Sequence, residues 1–295
     1  MRIHPILLGL SLAVVGTSLA AAQDAASPTP PKVIQLQREY LKPGKAGMVH
    51  DKSEAAFVAT MMRAKLKGHY VALNSMSGKS RALFVVGYPS FAAWEADNKI
   101  LDKSPALTAE FDHDLMTDGE LLDEYDSAVA TYNEELSYHP HGDIGHARYF
   151  EITVFHVKPG HRTDFEALTK IVKEAHDKAG TSAHWATYEI AYGAEDGTYV
   201  VLSADKSMDE IDQGFAESKK FVEGAGGAEG MAKLDKLFGE AVDSSRSELF
   251  SINPRQSYAS DDWIKADPEF WNAKSAAETA TAKPTAKSAA KPSSR

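Results

Sequence analysis

Cysteine is absent from all 295 residues. Disulfides, thiolate metal centres and a cysteine nucleophile are therefore excluded. Positive charge is scarce: 32 Lys and Arg stand against 42 Asp and Glu, a formal charge of −10, which argues against a nucleic-acid partner. No Gly-x-Ser-x-Gly elbow and no Ser-His-Asp order occurs, so hydrolase chemistry has no support. The glycine-rich run Gly224–Gly230 does not follow a predicted strand and lacks the Lys and Ser/Thr of a phosphate loop; it reads as a helix-to-helix connection. What remains is an ordinary globular composition, 43% hydrophobic and 25% charged, long enough for one large domain or two small ones.

Neither end reads as part of the fold. Arg2, the apolar stretch Ile6 to Leu19 and the small residues Ala20-Ala21-Ala22 make residues 1–22 an export signal, too short in its apolar part for a membrane span. A Pro-rich leader (23–32) follows. The expected mature protein is periplasmic or secreted and has no membrane span after cleavage. Residues 274–295 are Ala, Lys, Ser, Thr and Pro without one aromatic, which predicts disorder. Taking away Arg2 and the tail's net +4 leaves the remainder at −15. The basic tail could touch an anionic surface, although a solubilising tail is the plainer reading.

Between the ends runs an internal duplication. Val33 to Gly44 matches Tyr149 to Gly160, each an alternating run that ends in Lys-Pro-Gly. His69-Tyr70 matches His184-Trp185, Leu83 to Val86 matches Thr198 to Val201, and Glu135-Leu136 matches Glu248-Leu249, all at offsets of 113 to 116 residues. The repeats span 33–138 and 149–258, joined by a His-rich linker (139–148) and followed by an aromatic extension (259–273). Each repeat predicts a strand, a Pro-Gly turn, a helix, two strands, a helix from Ser90 or Ser207, another helix over 120–131 or 231–245, and a short last strand. In the second repeat Thr163 and Glu166 have capping-box spacing, and Phe165, Leu168, Ile171, Val172 and Ala175 form an apolar stripe. The fold class is α+β: two ferredoxin-like β-α-β-β-α-β repeats forming an intrachain α/β barrel of the dimeric type.

Two such units, each opening with strand, Lys-Pro-Gly and helix, resemble a fused pair from the dimeric α/β-barrel superfamily, which includes antibiotic-biosynthesis-monooxygenase-like and NIPSNAP-like proteins. The resemblance covers about Val33 to Tyr258. It implies two sheets closed into a barrel, helices outside and a cavity at the centre. It also implies that one chain closes the barrel alone, as a monomer with pseudo-twofold symmetry. The superfamily hosts cofactor-free oxygenases, haem enzymes, isomerases and proteins of no known chemistry, so the fold does not choose among them.

Period-2 alternation divides the first strand of each repeat into two faces. Ile34, Leu36 and Tyr40, with Phe150, Ile152 and Val154, form a mainly apolar face expected against the helices. Gln35, Gln37 and Glu39, with Glu151, Thr153 and Phe155, are expected to point into the barrel, joined by Tyr70, Asn74, Trp185, Thr187 and Glu189. A polar cavity with aromatic walls would suit a small organic molecule; its candidate ligand-binding residues are Gln37, Glu39, Tyr70, Asn74, Glu151, Thr153, Trp185 and Glu189. Burial could make Glu39, Glu151 or Glu189 an acid or base, but nothing in the sequence brings them together. His69 and His184 occupy equivalent strand starts, where a structural hydrogen bond explains them as well as catalysis does. His139, His141, Asp143 and His146 have the donors for zinc or copper, yet a flexible linker is a poor scaffold for a metal and matches no known signature. His176 lacks any pattern supporting haem ligation, and no cofactor is expected. Trp263, Trp271, Pro268 and Phe270 are expected to pack back on one end of the barrel. The first functional reading is an exported protein that binds a small organic molecule. The alternatives are a cofactor-independent monooxygenase or isomerase and a structural protein of the envelope.

Overall fold

A computed structural model describes residues 29–140 and 143–272 of the chain. The export-signal and basic-tail expectations, together with His141, lie outside the described residues. The first half comprises β1 (Val33–Leu41), α1 (Met48–Ala64), β2 (Tyr70–Ser75), β3 (Arg81–Tyr88), α2 (Phe91–Asp102), α3 (Pro105–Gly119) and β4 (Leu122–Tyr138). The second comprises β5 (Tyr149–Val157), α4 (Arg162–Ala179), β6 (Trp185–Tyr192), β7 (Thr198–Asp205), α5 (Met208–Ala216), α6 (Ser218–Gly224), α7 (Gly227–Ala241) and β8 (Val242–Ile252). Two short helices, α8 (Asp261–Ala266) and α9 (Pro268–Trp271), follow.

All eight strands pair antiparallel in one closed ring, in the order β1-β3-β2-β8-β5-β7-β6-β4. Counted within each half, the order is 4-1-3-2, the ferredoxin-like arrangement. The halves meet at two seams of unequal length. At one, β4 pairs with β6 from Val129↔Tyr192 to Tyr138↔Trp185. At the other, β2 pairs with β8 over only Leu73↔Ile252, Asn74↔Ser251 and Ser75↔Phe250.

The helix starts follow local chemistry. Ser90 and Ser207 cap α2 and α5, their hydroxyls accepting from the backbone N–H groups of Ala93 and Glu210. The predicted capping box in α4 does not form: His161 is the cap residue and Glu166 pairs with Arg162 instead. The helix expected over 120–131 does not form: α3 ends at Gly119 and residues 122–131 belong to β4, whereas the helix expected over 231–245 is α7, which ends at Ala241. Leu122–Tyr138 is a 17-residue strand because β1 pairs with its first part, to Thr131, and β6 with its last, from Val129 on.

The apolar strand face and the polar one are exchanged relative to expectation. Ile34, Leu36, Phe150, Ile152 and Val154 pack with Val71, Leu73, Val200, Leu202, Phe250 and Ile252 from both halves, so they fill the barrel interior. The other face looks outward, under the helices: Val33, Ala72, Phe84 and Val86 pack against Val58, Met61 and Trp94, while Phe155, Tyr199 and Val242 pack against Phe165, Leu168 and Leu234. A ring of eight strands leaves an interior that side chains can fill, and the aliphatic residues of both halves take that place. Trp271 completes the interior cluster from α9, donating its indole N–H to Gly145 O at 2.8 Å, with Trp263 and Phe270 beside it.

Candidate functional site

The exchange of faces carries the expected pocket residues out of the barrel. Gln35, Gln37, Glu39 and Tyr70 now line a cavity of about 340 Å³ between the first half's sheet and α1, α2 and α3. Phe57, Tyr88, Trp94 and Phe111 supply its aromatic walls.

At one end of this cavity the polar groups gather. Glu39 comes from β1, His50 and Glu54 from α1 and Asp118 from the last turn of α3; all four are buried. His50 and Glu54 are four residues apart, so they share one face of α1 with Phe57. His50 Nε2 lies 2.9 Å from Glu39 Oε2 and 3.6 Å from both Glu54 Oε1 and Asp118 Oδ1. On the other side of the ring, Gln256 Nε2 meets His50 Nδ1 at 3.0 Å and Asp51 Oδ1 at 3.0 Å. Asp51 is held in turn by Asn253 Nδ2 at 2.7 Å and by Arg255 Nη1 at 2.8 Å. With Gln256 donating to Nδ1, the imidazole proton is on Nε2, directed at Glu39.

Burial dominates the electrostatics. It raises the Glu39 carboxyl, against the opposing pull of the His50 contact. The Glu54 carboxyl stands well above the usual carboxylate range, first through burial and then through the charges of Glu39 and Asp118. Tyr70, buried completely and facing the same carboxylates, has its phenol pushed well above its ordinary value and remains a neutral hydroxyl. Burial pushes the Tyr88 phenol up to about 12.

The second half has nothing comparable at the same places. Phe155 occupies on β5 the position of Glu39 on β1, as the Lys-Pro-Gly turns show. Phe165 takes the first buried position of α4, as His50 does of α1, and Thr169 follows four residues later as Glu54 does. Phe238 precedes β8 by four residues, as Asp118 precedes β4. Phe155 packs on Phe165 and Phe238, with ring centroids 5.6 and 6.3 Å away. The resulting cavity of about 360 Å³ is walled by Phe155, Phe165, Leu168, Phe221 and Phe238. A third cavity, of about 300 Å³, lies at one mouth of the barrel and brings His69 and His184 to one space with Pro30, Pro31 and Trp263. Burial lowers the pKa of His69, whose ring lies against Tyr258 with 4.5 Å between centroids. His184 Nε2 meets Ala204 O at 3.1 Å.

The remaining candidates disperse. Asn74 sits at the short seam opposite Ser251 and Ala82. Glu151 is exposed, and Thr153 shares a 2.8 Å hydrogen bond with Ser247. Glu189 is bound through both oxygens by Arg162, and Trp185 donates its indole N–H to Leu136 O at 2.8 Å. Of the three carboxylates weighed as acid or base, Glu39 alone enters the buried cluster. In the linker, His146 Nδ1 pairs with Asp143 at 2.8 Å and Lys206 reaches the same carboxylate at 3.2 Å, while His139 stacks on Tyr138. His176 packs against Phe221 and Trp185, beside the second-half cavity.

His50, Glu54, Asp118 and Gln256 escaped the sequence reading. A signal for the first two was available: polar residues at the spacing of a buried stripe, where the second repeat has Phe165 and Thr169. Asp118 and Gln256 carry no local signal, because only the packing of α3 and of the loop after β8 brings them to α1.

No protein-family model matches the chain, and neither does any curated protein. Solved structures do match. A candidate monooxygenase of Fusobacterium nucleatum superimposes with a TM-score of 0.50 at 12% identity, covering 76% of this chain and 93% of its own. An anthrone oxidase-like protein gives 0.50 at 13% identity, with 77% and 93% covered. Chlorite dismutase of Candidatus Nitrospira defluvii, solved with imidazole, gives 0.46 at 10% identity, with 80% and 95% covered. At such identities the likeness is one of fold. That fold is a ferredoxin-like α+β barrel.

Proposed function

We propose that the chain binds a small organic molecule with a planar, aromatic body in the first-half cavity, with the Glu39 carboxyl as its polar anchor. One observation carries this reading: a buried carboxyl group, held by His50 at 2.9 Å, faces a cavity of about 340 Å³ whose other walls include Phe57, Tyr88, Trp94 and Phe111. Such a guest gains apolar and stacking contacts along its rings, while a hydroxyl or N–H at its edge pairs with Glu39. Trp94 is a built-in reporter. Titration with a panel of phenols and polycyclic phenols is expected to change its fluorescence saturably, and Glu39→Gln is expected to weaken binding at least tenfold. A flat response across the panel overturns the reading.

A second reading, a cofactor-independent monooxygenase or isomerase, is favoured by the same carboxyl–imidazole pair. A weakly acidic C–H or O–H placed against Glu39 would pass its proton to the pair, and the electron pair would stay on the substrate. An isomerase returns the proton to another carbon; an oxygenase passes the electrons to dioxygen. Solved proteins of this fold include the candidate monooxygenase and the anthrone oxidase-like protein. Oxygen uptake with a bound phenol would support the oxygenase; binding without uptake or rearrangement leaves a binding protein.

We also read the halves as a fused pair of ferredoxin-like repeats and the mature chain as exported. N-terminal sequencing of protein from the periplasm is expected to begin at Gln23. The envelope-structural reading relies on the basic tail.

A further inference from the structure

We propose that Glu39, His50, Glu54 and Asp118 form a site for one divalent first-row cation, of the Mn2+, Fe2+ or Zn2+ class, at the polar end of the first-half cavity. The site deepens the reading above, since Glu39 belongs to both, but its argument does not depend on what fills the cavity.

Geometry comes first. β1, α1 and α3 each deliver donors, and one ligand atom from each of the four residues lies within 4.8 Å of all the others. Around an ion with bonds of ~2.1 Å, adjacent donors stand roughly 3 to 3.5 Å apart. His50 Nε2 is already 2.9 Å from Glu39 and 3.6 Å from both Glu54 and Asp118. Small side-chain rotations would close the remaining gaps.

A second observation is independent of that spacing. Glu54 Oε1 and Asp118 Oδ1 belong to residues only 3% and 2% exposed, and no N–H group donates to either; short of an ion, only a proton shared between the two carboxyls can satisfy them. Buried acceptors without partners are costly and uncommon. Charge points the same way. Three carboxyl groups converge here, and among the described residues their one basic partner within ion-pair distance is His50. One imidazole is a slight counterpart to three buried carboxyl groups, whereas a divalent cation can offset the charge that their ionisation brings.

The surroundings of His50 complete the case. A metal on Nε2 requires the ring proton on Nδ1 and an acceptor for it. Gln256 Oε1 is fully buried and has no partner, while its amide nitrogen faces Nδ1. A half-turn of that amide would bring Oε1 to the Nδ1–H, and Asp51 would keep Asn253 and Arg255. Three oxygens and one imidazole nitrogen suit manganese, iron or zinc rather than a thiolate-seeking metal. Phe155, Phe165, Thr169 and Phe238 cannot repeat the site, so the stoichiometry is one per chain.

The full chain, stripped with chelator, would be titrated with Mn2+ by electron paramagnetic resonance and calorimetry, then with Zn2+. One equivalent is expected to bind. Glu54→Gln and His50→Ala are expected to weaken it at least tenfold, and the linker triple H139A/H141A/H146A to leave it unchanged. Gln256→Leu is expected to alter the Mn2+ line shape and Gln256→Glu to restore it. Where His50→Ala fails to fold, Asp118→Asn takes its place. Absence of stoichiometric binding by wild type overturns the proposal. So does binding that survives both Glu54→Gln and Asp118→Asn, or that is lost in the linker triple. Titrating the stripped protein with phenols separates the two readings: organic binding without metal binding refutes this site alone, and metal binding without organic binding refutes only the cavity function.

Discussion

Asp205, at the end of β7, shows how a single buried carboxyl registers in stability. It is buried with one unpartnered oxygen, and burial raises its pKa to about 6; His184 opposes the shift, while Glu151 and Glu210 add to it. In the unfolded chain the same group titrates near ~3.9. The folded state therefore holds this proton more tightly than the unfolded state. The associated stability is fully present below about pH 4, is lost as pH rises to about 6, and changes little above that. Asp205→Asn is expected to stabilise the protein at pH 8 and to have almost no effect at pH 4, read by urea unfolding at both values. A gain of equal size at the two pH values would mean that the charge is not responsible. Asp97 illustrates the opposite case, a buried carboxylate that is satisfied: it accepts from the backbone N–H of Lys67 and, at 2.7 Å, of Gly68. Asp97→Ala leaves those donors unpaired and is expected to cost about 1–3 kcal/mol in the same assay. At this scale the sequence was a partial guide. Strand alternation grouped Glu39 with Tyr70 but set them inside the barrel, whereas they line a cavity beneath the helices. Their partners were not legible, because the contacts of His50 with Asp118 and Gln256 span 68 and 206 residues of chain.

Among the elements, the short β2·β8 seam is the place where the ring is most exposed to opening. Three residue pairs join it. Its support comes from side chains: Arg81 on β3 grips Glu248 on β8 through two guanidinium nitrogens, one of them at 3.0 Å, and its guanidinium also stands 5.0 Å from the centre of the Phe250 ring. Both partners are largely buried, and without Arg81 the Glu248 carboxylate keeps only Arg246, a more exposed side chain at 3.0 Å. Arg81→Met is expected to cost about 1.5–3 kcal/mol. Phe250, with no exposed surface, packs in the interior, and Phe250→Ala is expected to cost about 3–5 kcal/mol. Phe215→Ala, on the exposed surface of α5, should stay within about 0.5 kcal/mol. Chemical denaturation of the three variants checks the ranking; a Phe250→Ala cost as small as that of Phe215→Ala would contradict the assigned interior. Element types were largely readable where a local device marks them, as Ser90 and Ser207 mark helix starts. The reading failed over 122–131, where Tyr125 and Val129 continue the helical spacing of Leu121. Pairing with β1 decided for strand, and no local sequence contains that information.

For the whole molecule, closure removes the free sheet edges through which single ferredoxin-like units associate. The chain is expected to sediment as one species no heavier than its 32.0 kDa. A species of twice that mass at micromolar concentration would show that another surface, such as the helical one bearing Phe215, joins two copies.

By itself the sequence determined the order of most strands and helices around the Lys-Pro-Gly turns, the lack of thiol chemistry and the alternation that separates apolar from polar strand faces. These follow from local conformational preference and periodicity, which neighbouring residues encode. Only the tertiary structure decided which face looks inward. Alternation is symmetric between the two sides of a sheet, and closure of the ring around the aliphatic residues of both halves broke that symmetry. The same event turned Glu39 outward beneath α1, where the helix brings His50 and Glu54 and the end of α3 brings Asp118. The polar quartet exists because distant segments pack there.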